Sequence, residues 1–341
     1  MRRTGILLLL LLIPFFLFSA QTLGVTDTSL RALGYSAFSS ASYYGSFSDI
    51  FVNPASLPLL ERTTFYQVSY ALGENYNTSL WGKEEVSYMQ NTASELQGTV
   101  VSGPVALSAK ISSSLAGREV REDGGAYYDI YSSFDVELAL AYSFFNHFSI
   151  GARLGGGNSV ARLRKRMTGF ISAMGNAWFS PYEQMTGSER FNLNVGTLVY
   201  FSNFTFGLVM DDLISSGDEG YFRHLVANTT FSFAYRGNVY NSDGDLRYLV
   251  PRIAVDAKGI GFTGERSISV TGDLTLQFLK DVLLDAGLRY SYMVSSSDDV
   301  SSSVTFSLLG NYGDFSLLLN IVFLQNTRNN FRPSLIFTYS V

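Results

Sequence analysis

The chain has 341 residues, 46% of them hydrophobic and 15% aromatic, with a net charge of −5 and no cysteine. The acidic balance argues against a nucleic-acid footprint, and the missing thiols exclude disulfides, cysteine metal sites and a lipid-modified N-terminal cysteine. The aromatics are 27 Phe and 21 Tyr against 2 Trp, a composition that suits barrel surfaces and their interfacial girdles.

At the N-terminus, Arg2 and Arg3 precede an apolar run from Ile6 to Phe18 and the small residues Ser19 and Ala20. This reads as a secretory signal peptide over 1–20, too short for a comfortable membrane span, with an uncleaved anchor as the rival. Later apolar stretches are interrupted by polar residues such as Asn320, so no helical span is expected after it. In lipid that leaves closed barrels, because only they and helices satisfy their own backbone.

About forty residues follow, from Gln21 to Glu61, rich in Ser, Ala and Gly with Tyr43, Tyr44 and Phe47 interleaved. Their aromatic content and low charge favour an inward-folded plug over a disordered tail. We therefore divide the chain into a signal peptide (1–20), an N-terminal hatch (21–61) and a transmembrane β-barrel (62–341).

The barrel reading rests on period-two alternation. In 127–145, Phe134, Val136, Leu138, Leu140, Tyr142 and Phe144 share one parity, while Asp129, Asp135, Glu137 and Ser143 hold the other. Strand side chains alternate between faces, so this strand has one apolar and one acidic, wet face, as when lipid lies outside and water inside. A turn at Asn146–His147 leads straight into a second alternating strand.

Further tight turns fall at Gly103–Pro104, Ser202–Asn203, Lys280–Asp281 and Tyr312–Gly313–Asp314, with a looser one between Gly237 and Arg247. They place strands at 62–72, 93–101, 104–116, 126–145, 147–160, 189–202, 203–213, 224–236, 248–258, 266–279, 281–294, 299–311, 314–326 and 331–341. The fold class is thus all-β: a transmembrane antiparallel β-barrel of about 14 strands with an N-terminal hatch. The segment 161–188, with Arg162, Arg164, Lys165 and Arg166, lacks alternation and reads as a long extracellular loop. Were it a further hairpin, the count would be about sixteen.

Two runs carry a resemblance: Leu30-Arg31-Ala32-Leu33-Gly34-Tyr35-Ser36-Ala37-Phe38, then Asp49-Ile50-Phe51-Val52-Asn53-Pro54-Ala55. They resemble the hatch of the FadL-type long-chain fatty-acid transporter family, matching its motif residue by residue at Asn53, Pro54 and Ala55. The last strand, ending at Val341, is similar to the assembly signal of barrel C-termini, which usually end in an aromatic. The resemblance implies a monomeric barrel of the bacterial outer membrane that passes hydrophobic molecules such as long-chain fatty acids. Hatch movement would open the route, often laterally through the wall. Expected partners are membrane lipid, a hydrophobic small-molecule ligand and, through the C-terminal strand, the barrel assembly machinery. PorV-type shuttles of secreted protein cargo share the fold, and a general porin is the other alternative.

An enzyme is not expected. The only histidines, His147 and His224, lie at a turn and near a strand start, and no cofactor or metal is called for. The lumen-parity charges are the candidate site. They would pair with one another inside a walled lumen, or one or two of Lys110, Arg153, Arg252 and Arg289 would hold a ligand carboxylate through a charge-assisted fork. Inward apolar positions such as Leu198, Tyr200, Leu283, Leu309 and Leu318 would line an acyl path or pack on the hatch; both readings stand.

Overall fold

The computed structural model describes residues 37–38, 40–43, 52–60, 64–77, 87–122, 125–145, 147–166, 186–214, 226, 228–237, 248–260, 266–279, 282–294, 300–325 and 330–340. Among them are fourteen strands: β1 (Thr64–Asn77), β2 (Ser87–Ser102), β3 (Val105–Glu122), β4 (Gly125–Phe144), β5 (Phe148–Arg166), β6 (Thr186–Phe201) and β7 (Phe204–Met210), then β8 (Thr229–Arg236), β9 (Tyr248–Lys258), β10 (Arg266–Leu279), β11 (Val282–Val294), β12 (Val300–Tyr312), β13 (Phe315–Gln325) and β14 (Asn330–Ser340). Each pairs antiparallel with its sequence neighbours. β14 returns to β1 through a register running from Gln67↔Ser340 to Asn77↔Asn330, closing the barrel.

Alternation does the sorting along each strand. On β4, Val136, Leu138, Leu140 and Tyr142 are exposed on the outside, whereas Ala139 and Ala141 are buried within. The same split recurs on β7, where Phe204 and Phe206 face out and Thr205, Gly207 and Val209 are sealed inside. An exterior this apolar is stable only against lipid.

At the turn end, aromatic pairs such as Tyr142–Phe144 (4.5 Å between centroids), Phe204–Tyr235 (5.1 Å) and Phe315–Tyr339 (4.8 Å) form a girdle. The turns are tight enough to need left-handed backbone at Gly103 (φ 58°) and Gly313 (φ 57°), and even at Phe145 (φ 52°) and Ser202 (φ 49°). The signal peptide, Lys280–Asp281 and Val341 lie outside the described residues.

Several strand boundaries differ from the sequence reading; β1 runs on to Asn77 rather than 72, and β3 to Glu122 rather than 116. The basic run at 162–166 is not loop: β5 continues through Arg166, opposite β4, with Arg162 taken up in a bulge between the pairs Ile130↔Leu163 and Tyr131↔Ala161. β6 begins at Thr186 rather than 189, so only 167–185 of the expected loop remain, and these lie outside the described residues. β2 likewise starts at Ser87, not 93. These extensions lie at the loop end, where the backbone ladder continues although the sequence no longer alternates. Conversely, β7 and β8 are shorter than expected. Asp212 turns left-handed (φ 57°), and its N–H donates to Asn194 Oδ1 at 2.8 Å, ending the ladder.

The register has a direct test. Leu138 is half exposed, about 15 Å above the β4–β5 turn at 3.3 Å per residue with the usual tilt, near the middle of the apolar band. Leu138→Arg is expected to cost about 2–4 kcal/mol there. Asn311→Arg, on an inward, half-buried position near the turn end, is expected to cost far less. Both are read from urea titrations of the heat-modifiable folded band. Equal losses would contradict the assigned faces.

Candidate functional site

A fourteen-stranded wall encloses more space than its own side chains fill, and the hatch crosses that space. Its residues 37–38 and 40–43 follow the β7–β12 arc, and its 3₁₀ helix, Pro54–Leu59, lies mainly over β3 to β6. The helix starts as its sequence demands: Asn53 caps it by accepting the Ala55 N–H at 3.0 Å, and Pro54, lacking an N–H, occupies the first turn.

Asn53 also fastens the two halves of the hatch to the wall. Its amide donates to the Ala41 carbonyl at 2.7 Å and to the Thr197 carbonyl of β6 at 3.1 Å. With the oxygen engaged by Ala55, the amide orientation follows from the network. The residue is fully buried. Beside it, Ser149 of β5 donates to the Ala55 carbonyl at 2.7 Å, and Leu57 and Leu60 close on Ala106, Ala139 and Ala141. Asn53, Pro54 and Ala55 thus form one of the hatch's points of attachment.

Inward-facing glycines form the seats. A Cβ on Gly151 would stand 2.5 Å from the Pro54 carbonyl group, and one on Gly287 would stand 2.9 Å from both Ala37 Cβ and Phe38 Cε1. On Gly196 it would strike the Asn53 side-chain oxygen, and on Gly207 the Ala41 carbonyl. The hatch therefore approaches the wall more closely than any other residue permits.

Along the opposite arc the attachment is polar. Asp256 Oδ1 of β9 accepts from Ser40 Oγ at 2.8 Å, from the Ala41 N–H at 3.1 Å and from Ser232 Oγ. The Ala37 N–H donates to Ser307 Oγ at 2.7 Å. Tyr43 packs on Ala234 and Ala254 with the Arg252 guanidinium 4.7 Å from its ring centre. Burial, reinforced by the Asp273 charge, pushes its hydroxyl pKa far above the ordinary tyrosine range.

The four candidate cations do not form one cluster. Lys110 (β3) and Arg153 (β5) share Glu137, at 2.8 and 3.9 Å, and Lys110 lies 3.8 Å from Glu95. Arg252 (β9) binds Asp273 Oδ1 at 2.6 Å. Arg289 (β11) donates to Ser269 Oγ at 2.9 Å and Ser291 Oγ at 3.3 Å, with Asp256 at 3.9 Å. Each cation thus has a wall carboxylate within ion-pair distance, as buried charge requires. His147 sits at its turn against Phe201, near the Tyr200 carbonyl.

Sequence reasoning missed the glycine seats and the hatch role of Asp256. The available signal was four glycines, all at inward parity, on strands otherwise free of them at that level. Gly207→Leu is expected to unseat the hatch while leaving the ladder intact, raising the ion conductance of the purified barrel in planar bilayers several-fold. Gly272→Ala, on an exposed position where nothing lies within 4 Å of the added carbon, is the control and is expected to match wild type. Unchanged conductance in folded Gly207→Leu would contradict the seat.

No protein-family model matches the sequence, and no curated protein matches it. Solved structures do. A deltaS2 mutant of the TodX monoaromatic hydrocarbon channel aligns with a TM-score of 0.59 at 13% identity, covering 90% of this chain and 98% of that one. The Pseudomonas putida toluene transporter TodX gives 0.55 at 11% identity, covering 94% and 99%. A Pseudomonas aeruginosa FadL homologue gives 0.51 at 10%, again covering 94% and 99%. With so little identity and nearly complete coverage, the likeness is one of architecture: the chain folds as a barrel of the FadL and TodX type along almost its whole length.

Proposed function

We propose that the chain is a bacterial outer-membrane channel, not an enzyme, that binds hydrophobic molecules and passes them through the barrel, with the hatch as its gate. The observation that carries this reading is the way the lumen is closed. The plug is seated on glycine backbone and held by hydrogen bonds from Asn53, Ser149, Asp256 and Ser307. Such contacts can be broken and remade locally, since each contributes only about 0.5–1.5 kcal/mol net. A general porin has no need of them. The named cargo of the similar structures, toluene and monoaromatic hydrocarbon, supports the hydrophobic class.

Long-chain fatty acids are the finer proposal. Among the four candidate cations, Arg289 is the best placed for a ligand carboxylate. Its guanidinium donates to two hydroxyls, with which a charged acceptor competes well, and Asp256, 3.9 Å away, is engaged by the hatch through its other oxygen. A carboxylate arriving there would touch the group that holds Ser40 and Ala41.

Asn53→Ala combined with Pro54→Ala removes the cap and the pre-set first turn outside every strand, about 1 kcal/mol for the cap alone. Barrel assembly, read by heat-modifiable migration, should persist. Uptake of labelled toluene and of a labelled long-chain fatty acid, in a host lacking its own transporter, should be present in wild type and altered in the double variant. Uptake of neither by a folded wild type that carries stably bound secreted protein would instead favour the cargo-shuttle reading.

A further inference from the structure

The hatch fills the turn end of the barrel unevenly. Over β3 and β4, Leu57 and Leu60 press on Ala106, Ala139 and Ala141 and leave almost nothing exposed. On the β11–β14 arc two inward rows lie one above the other. The upper row, Gly287, Ser307, Asn320 and Ser334, is in register across the four strands and sealed, with Ser307 bonded to Ala37 of the hatch and to Asn320. The next row toward the turns, Asp285, Leu309, Leu318 and Ile336, is also in register, and all four residues are only half buried. Exposure falls to nothing at the hatch and returns one row nearer the turns, so the chamber in question is the stretch of lumen on the turn side that the hatch leaves uncovered along this arc.

The chemistry of that row is unusual for a wetted wall. Three aliphatic side chains stand side by side across β12, β13 and β14, with one carboxylate at the end, spanning about 14 Å at three strand spacings. Thr275, its ladder partner on β10, hydrogen-bonds the Asp285 carboxyl and Arg252 attracts it, but Asp285 Oδ1 is buried and finds no hydrogen-bond partner among the described residues. Asp273, on the diagonal across the β10–β11 ladder, gives one oxygen to Arg252 and leaves Oδ2 in the same condition, although the residue is only 6% exposed. Buried acceptors without donors are costly, and half-exposed leucines gain by being covered.

We propose that this chamber is a binding site for an apolar molecule carrying a hydrogen-bond donor, an alcohol, phenol or primary amine. Its head donates to Asp285 and its hydrocarbon lies across Leu309, Leu318 and Ile336. A carboxylate is the head group the site rejects, because its charge would face that of Asp285 with no donor to offer. The proposal rests on the reading that hydrophobic molecules enter the barrel, and it assigns the turn-side chamber a head-group preference opposite to that of Arg289.

Calorimetric titration of the purified barrel in a non-ionic detergent with decylamine, decanol and decanoate, at neutral pH, tests it without transport. Decylamine and decanol are expected to bind at least about ten-fold tighter than decanoate. Asp285→Asn should remove the advantage of decylamine while leaving decanol within about two-fold, and Leu318→Asn should weaken all three. Heat-modifiable migration certifies that each variant is folded. Decanoate binding as tightly as decylamine to wild type would overturn the site, as would an unchanged order in folded Asp285→Asn or unchanged affinities in Leu318→Asn. Any of these would leave the uptake result, and the transport reading with it, untouched.

Discussion

Lipid offers the backbone no hydrogen bonds, and everything else in this protein follows from that constraint. A strand that crosses it must be paired on both sides, so the sheet closes on itself, β14 against β1. Closure with fourteen strands then fixes a lumen wider than one layer of inward side chains fills. The inward residues here are small and hydroxylic, Ser108, Ser112, Ser149, Ser232, Ser269 and Ser307 among those buried, which widens it further. A wall of this kind needs a separate piece of chain to close it.

The way that piece is bound decides whether it can move. A plug held by bulky apolar packing would be part of the core, costly to open. Here the fit comes instead from the absence of side chains at Gly151, Gly196, Gly207 and Gly287, and the adhesion from single hydrogen bonds to Asn53, Ser40, Ala41 and Ala37. Apolar contact is made at both ends, by Leu57 and Leu60 on the alanines of β3 and β4 and by Tyr43 on Ala234 and Ala254. On the proposed gating, the helix would serve as hinge and residues 37–38 and 40–41 as latch. The latch shares Asp256 with Arg289, which places a candidate ligand contact one residue from the latch.

Much of the barrel was legible because lipid imposes alternation wherever a strand touches it: β4, β9, β10 and β13 fall within one residue of their expected ends. Legibility failed where lipid ends. The upper parts of β2 and β5 carry a continuous ladder over a sequence that does not alternate, so they leave no periodic trace. β7 ends at Met210, two residues before Asp212, whose left-handed turn is a local choice of backbone. The motif at Asn53, Pro54 and Ala55 was visible, and its cap geometry follows from those residue types. The seats were not, because a glycine within a strand reads equally as a bulge or a bend. The inward apolar positions also divided in a way no periodicity foretells: Leu198 is fully buried, while Leu309 and Leu318 remain open to the chamber.

The absence of native cysteine permits a clean test of the gate. Ser40 Oγ of the hatch and Ser232 Oγ of β8 are 2.9 Å apart, so Ser40→Cys with Ser232→Cys places two thiols at the latch and nowhere else. Uptake of a labelled hydrophobic substrate by cells carrying the double variant, measured oxidised and then after reduction, addresses the central claim. Oxidation should abolish uptake and reduction should restore it. Full uptake with the cross-link formed would mean that the substrate passes without the latch opening, and would contradict the hatch as gate.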